Sequence, residues 1–206
     1  MLIVLADFWV NPGLLCPACG VAVLLALLAA VVLNYNGLVR TRNTMAESWA
    51  GIDTELKRRY DLIPNLVETV KGYAAHERET LERVAVARAR AVASTGTPGS
   101  QAVDENVLVQ ALRQMFALAE GYPQLKADAN FRKLQEELVN TEDRIQAARR
   151  FFNANVREYN NRCQVFPSNV IASLFSFKAG EYFEVEEAVE RQAVKVGFKP
   201  QPPPHE

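Results

Sequence analysis

His76-Glu77 opens like the zinc-protease motif HExxH, where two histidines one helical turn apart hold the metal and the glutamate serves as base. Position 80 is Thr, so the second ligand is missing. A di-iron bundle needs a Glu-x-x-His pair on each of two helices. This chain has only His76 and His205, and Tyr73 stands three residues before His76. Gly96-Thr97-Pro98-Gly99-Ser100 lacks the lysine and the spacing of a phosphate-cradling loop. There is no GxSxG, and the sequence identifies no histidine to activate Cys163. Cys16-Pro17-Ala18-Cys19 spells CxxC, but it sits in apolar surroundings with no second ligand pair. These residues predict no catalytic, metal or cofactor site. The one enzymatic alternative is a polar site around Asp53, Asp61, His76 and Glu77. It requires the chain to fold back near Pro64, because acid–base work needs hydrogen-bond reach.

The elements that must position these groups begin with Leu14 to Leu33, LLCPACGVAVLLALLAAVVL, which holds no charged residue. Twenty residues at ~1.5 Å each cross a ~30 Å hydrocarbon core, which predicts a transmembrane helix. A cleaved leader would want Lys or Arg before the apolar run, and the only charged side chain in residues 1–13 is Asp7. Arg40, Arg42, Lys57, Arg58 and Arg59 all follow the span, so the amino terminus should face out and the long carboxyl part the cytoplasm. Ala18, Ala22, Ala26 and Ala30 recur at steps of four. They offer a close-packing face for a homo-oligomer, or reflect only the abundance of alanine in apolar helices. The 206 residues carry 23 Lys and Arg against 24 Asp and Glu, a balance that gives no field to concentrate nucleic acid. Three scattered cysteines suggest no disulfide framework.

Beyond the span the periodicity is helical throughout. Leu38, Met45, Trp49, Ile52, Leu56 and Tyr60 form one stripe, predicting a helix continuous with the anchor and ending near Tyr60, before Pro64. A second stripe runs from Leu66 through Val70, Tyr73, Leu81 and Val84 to Ala91, and residues 94–100 read as a loop. A third helix is predicted over Ala102–Ala119, broken by Gly121-Tyr122-Pro123. The fourth carries Phe131, Leu134, Leu138, Ile145, Ala148, Phe152, Val156 and Tyr159 at near-heptad steps. The predicted fold is all-α: a transmembrane helix continuous with an antiparallel up-and-down bundle of about four long helices. Its expected parts are an outer segment 1–13, the span 14–33, the bundle 34–163, an apolar cap 164–183 and an acidic, Pro-rich tail 184–206. Val170, Ile171, Leu174, Phe175 and Phe177 make the cap dense in apolar residues. They either close one bundle end or touch the membrane or a partner.

Several phrases are too particular for generic patterning: Arg42-Asn43, Ser48-Trp49-Ala50-Gly51-Ile52-Asp53, Leu56 through Val67, Val70-Lys71-Gly72-Tyr73, His76-Glu77, Glu142-Asp143-Arg144-Ile145, Ala148 through Asn153, and Phe166-Pro167-Ser168-Asn169. Together, in this order from about Tyr35 to Phe183, they resemble the LemA family of bacterial membrane proteins. The resemblance implies an amino-terminal membrane helix, outside-in orientation and a long helical bundle at the inner membrane, and it brings no activity. The departures lie in the Cys-bearing amino terminus and the Glu- and Pro-rich tail. Asn43, Asp53, Arg59, Asp61, Asn65, His76, Glu77, Arg144 and Arg149 are the polar members of these phrases. They are expected either in buried pairs that fix helix register or in a groove for a protein partner. A membrane-anchored, non-enzymatic scaffold is the function these observations predict.

Overall fold

The computed structural model describes the backbone of residues 12–184 and the side chains of residues 19–184. Residues 1–11 of the outer segment, the side chains of Cys16 and Ala18, and all but the first residue of the acidic, Pro-rich tail lie outside the described residues. Among the described residues six helices follow one another: α1 (Pro12–Tyr73), α2 (Arg78–Ala93), α3 (Pro98–Ala119), α4 (Pro123–Ala127), α5 (Ala129–Gln164) and α6 (Ser168–Leu174). Among the described residues there is no strand. The fold is all-α, and α1 holds the one stretch among them long and apolar enough to cross a membrane.

Two predicted boundaries are corrected. α1 does not end near Tyr60 but runs through Pro64 to Tyr73, so its 62 residues extend ~93 Å at ~1.5 Å each. A proline inside a helix removes its own N–H and orphans the carbonyl four residues back. That carbonyl belongs to Tyr60, and Arg88 Nε of α2 donates to it at 2.7 Å. A tertiary donor replaces the missing helical one, and the helix continues. The second stripe is therefore split: Leu66 and Val70 belong to α1, and Leu81, Val84, Ala87 and Ala91 to α2. α3 starts at Pro98 instead of Ala102. Thr97 caps it by accepting from Ser100 N at 3.4 Å, and the proline occupies the first turn, where its missing N–H costs nothing.

α1 and α5 are antiparallel partners over their whole shared length. Tyr73 meets Asp128 (2.9 Å), Arg58 meets Glu137 (2.9 Å), and the rings of Trp49 and Phe152 meet tilted at 58° with centres 5.2 Å apart. α2 and α3 form a hairpin, tied by Arg90–Asp104 (2.6 Å) and Arg83–Gln114 (3.3 Å). This hairpin covers only the half of the bundle distant from the apolar run. Ile52, Leu56, Ile63, Leu66 and Val70 of α1 are buried there among Val84, Leu108, Met115, Leu138 and Ile145.

Nearer the span, a strand-like return of the chain takes the place of the hairpin. Asn153 donates to Phe183 O (3.1 Å) and accepts from Phe183 N (3.0 Å). Asn160, seven residues on, makes the same reciprocal pair with Gly180 (3.0 and 2.8 Å). Tyr159 adds a bond to Lys178 O at 2.8 Å. The clasp seats Phe183, fully buried, against Trp49. The return lies close in: a Cβ on Gly180 would stand 2.6 Å from Met45 Sδ.

Candidate functional site

Where the hairpin meets the α1–α5 pair, the core holds charge. Arg59 and Glu105 are 3 % and 0 % exposed and form an ion pair. The second guanidinium arm reaches Glu142 Oε2 at 2.8 Å, at the edge of solvent. Tyr60 O–H donates to the other oxygen of Glu105. Gln101 Nε2 donates to Glu105 (2.9 Å), to Tyr60 Oη (3.1 Å) and to Ala91 O (3.2 Å). Burial, then the bond to Glu105, pushes the Tyr60 phenol far above its ordinary value, so it stays a neutral donor. The network joins four helices: α1 through Arg59 and Tyr60, α2 through Ala91, α3 through Gln101 and Glu105, and α5 through Glu142.

The helical repeat explains the assembly. On α1, Arg59 lies three residues after Leu56 and four before Ile63, inside the apolar stripe. On α3, Gln101 and Glu105 are one turn apart on the face that carries buried Leu108 and Leu112. A cleft of about 210 Å³ opens above the pair between α3 and α5, with Arg59, Arg113, Phe116, Leu138, Glu142 and Gln146 in its lining. Two carboxylates share one guanidinium here, and the neighbouring hydroxyl is held neutral. That arrangement suits a lock on helix register better than a proton shuttle.

Of the nine polar residues singled out from sequence, the structure brings Arg59 alone into this network. Asn43, Asp61, Asn65, His76 and Arg144 are exposed. Asp53 pairs with Lys57 on the surface of α1 at 2.6 Å. Glu77, half-buried at the far tip, accepts from Tyr122 O–H at 3.1 Å. Arg149 donates to Gln146 at 3.1 Å. The expectation of buried pairs for this whole group is thus corrected, and the repeat gives the reason: Asp53, Asp61 and Asn65 fall beside the buried stripe instead of on it. Because α1 does not fold back at Pro64, the ~20 residues from Asp53 to the end of α1 put ~30 Å between Asp53 and the turn that bears His76 and Glu77. These four side chains do not converge. Ala22, Ala26 and Ala30 lie on the exposed apolar stretch of α1.

The far tip is ordered by Asp128. It caps α5 by accepting from Phe131 N at 2.8 Å and also accepts from Tyr73 O–H. The backbone bond from Phe131, then that from Tyr73, holds its carboxyl below the usual carboxylate range.

The profile of the LemA family matches residues 48–198, taking in the whole lock and both asparagine clasps. The chain belongs to the LemA family. Its relatives include the magnetosome protein MamQ of Magnetospirillum gryphiswaldense, 25 % identical over 203 residues, covering 86 % of this chain and 75 % of MamQ. Magnetosome protein MamQ 2 of Paramagnetospirillum magneticum is 24 % identical over 79 % of this chain and 69 % of its own length. Protein LemA of Metamycoplasma hominis is 24 % identical over 74 % of this chain and 69 % of its own. None of these names states an enzymatic activity, and the LemA family together with the apolar helix marks the chain as a membrane protein. Sequence reading missed Tyr60, Gln101, Glu105 and Glu142 as members of the lock, and Arg88 as the donor that completes α1. The signal that could have found Gln101 and Glu105 was their place within an apolar 3–4 repeat.

Proposed function

We propose that this LemA-family protein is a non-enzymatic scaffold, anchored in the inner membrane by α1, that presents its bundle to a protein partner at the cytoplasmic face. The observation that carries the proposal is the unbroken passage of α1 from its apolar run into the core of the bundle. An anchor that is also a core helix holds the bundle at a set height and angle, which a flexible tether would not do. Sidedness is supported by Arg40 and Arg42 directly after the span and by the absence of Lys and Arg before it. The relatives of this chain include proteins named for the magnetosome and a protein named LemA. One frame used in different settings fits a presenting role.

The partner's seat in this proposal is the outer groove of the α2–α3 hairpin. Val86 and Val107 form its apolar floor, 61 % and 41 % exposed, and Glu79, Glu82, Arg83 and Arg90 stand at its rims. A groove between two helices with charged edges takes an amphipathic helix. Affinity capture of the full chain from detergent-solubilised membranes should recover one partner in stoichiometric amount. The double variant V86D/V107D should lose that partner while keeping its membrane fraction and helical circular dichroism. Repeated recovery of the chain alone, or a partner indifferent to V86D/V107D, contradicts the proposal.

A further inference from the structure

The return of α5 toward the span ends in an apolar surface that the bundle does not cover. Phe166 and Leu174 are 77 % and 72 % exposed, and Val165, Val170 and Phe175 are also exposed. All five lie between the end of α5 and Phe175, the residue that follows α6. The inner side of α6 is fixed: Ile171 and Ala172 pack on Leu38 of α1, with Phe177 against the same cluster. Ser176, at φ 55°, turns the chain at the helix end, while Phe177 N and Ser176 N bond back to Ala172 O (2.9 Å) and Ser173 O (3.2 Å). α6 is therefore a seated element with one face left open.

Its height along α1 identifies what that face meets. Leu38 is five residues past Leu33, the last residue of the apolar run, which is ~8 Å along the axis. Tyr35, closer still, makes edge contacts with Phe175 (4.8 Å) and Phe177 (5.7 Å). Tyrosine at the end of a span sits at headgroup level. Basic groups gather at the same height. Arg42 lies 5.4 Å from the Phe177 ring centre, and Arg40 and Lys178 are exposed; the side chain of Arg162, paired with Glu158 at 2.9 Å, approaches Gly37. Apolar side chains flanked by cations are what the boundary between acyl chains and anionic headgroups accepts.

We infer that residues 165–175 form a membrane foot: Phe166, Val170, Leu174 and Phe175 insert into the bilayer leaflet from which α1 emerges. The foot gives the bundle a second contact with the lipid, beside the span, and fixes its tilt. It rests on the reading of α1 as the anchor.

The test is depth measurement by nitroxide labelling of the full chain in vesicles of phosphatidylcholine and phosphatidylglycerol, with Cys16, Cys19 and Cys163 replaced by Ser. Labels are placed singly through Leu174→Cys in the foot, Val86→Cys in the distal groove and Leu28→Cys in the span. The foot predicts that the label at 174 is accessible to oxygen and shielded from a water-soluble nickel reagent, at a depth of ~5–10 Å. The label at 86 should be open to nickel and the label at 28 in hydrocarbon. If 28 is in hydrocarbon while 174 is as open to nickel as 86, the foot is wrong and the anchor stands. If 174 is shielded from both reagents, a protein surface covers it, and the foot is again wrong. A label at 28 open to nickel overturns anchor and foot together. Because Leu174 is exposed, its replacement leaves the packing of Ile171 and Ala172 intact.

Discussion

Glu105→Gln is expected to lower the unfolding free energy by about 3–5 kcal/mol, because it leaves the buried Arg59 guanidinium without its main counter-charge. The substitution keeps an oxygen for Tyr60 O–H and for Gln101, so the loss reports the charge more than the shape. Glu142 still holds one arm of Arg59, which places the effect toward the lower bound. In a chain of this size each kcal/mol moves Tm by ~2–4 °C, a change that thermal unfolding of the full chain in detergent detects. Arg59→Met removes the other partner and is also expected to destabilise. Together the two changes should cost less than their sum, with a coupling of about 1–3 kcal/mol. An additive double variant would mean that the pair does not act as a unit in the protein.

The second large effect is expected at Arg88. Arg88→Met leaves the Tyr60 carbonyl without a donor, because Pro64 offers no N–H, and should cost about 1.5–3 kcal/mol, the range for a hydrogen bond from a charged group. In a Pro64→Ala background the helix regains its own bond at this turn, so the same Arg88→Met change should cost clearly less. Denaturant unfolding of the four proteins measures the difference. Equal cost in both backgrounds would show that Arg88 stabilises the bundle in some other way than by completing α1.

The contrast between these two sites shows what the sequence makes legible. The apolar stripes of α1 and α5 were readable because 3–4 spacing survives without knowledge of the partner helix: Ile52, Leu56, Leu138, Ile145 and Phe152 are all buried as their spacing demands. Pro64 misled because a helix can be continued by a donor from elsewhere in the chain, and nothing local to residues 60–64 announces Arg88. The lock was legible only at Arg59. Glu105 lies forty-six residues away on another helix; its place in the repeat with Leu108 and Leu112 turns it inward, but does not name the cation it meets. His76 and Glu77 drew attention by type and adjacency, yet their turn lies at the far tip, where Glu77 only holds Tyr122. The asparagine clasps were hidden for a related reason: Asn153 and Asn160 recognise backbone, which leaves no trace in the residues they hold.

If α1 is one rod from the membrane into the bundle, the distance along it is fixed, and that distance is the direct measure. Leu28 and Glu68 are both exposed on α1, on either side of the junction with the span and of Pro64. Spin labels at these two positions, in the full chain in vesicles, should give a single narrow distance distribution near ~60 Å, as about 40 helical residues require. A broad distribution, or a main distance far shorter, would place a hinge between anchor and bundle and contradict the scaffold held at a set height.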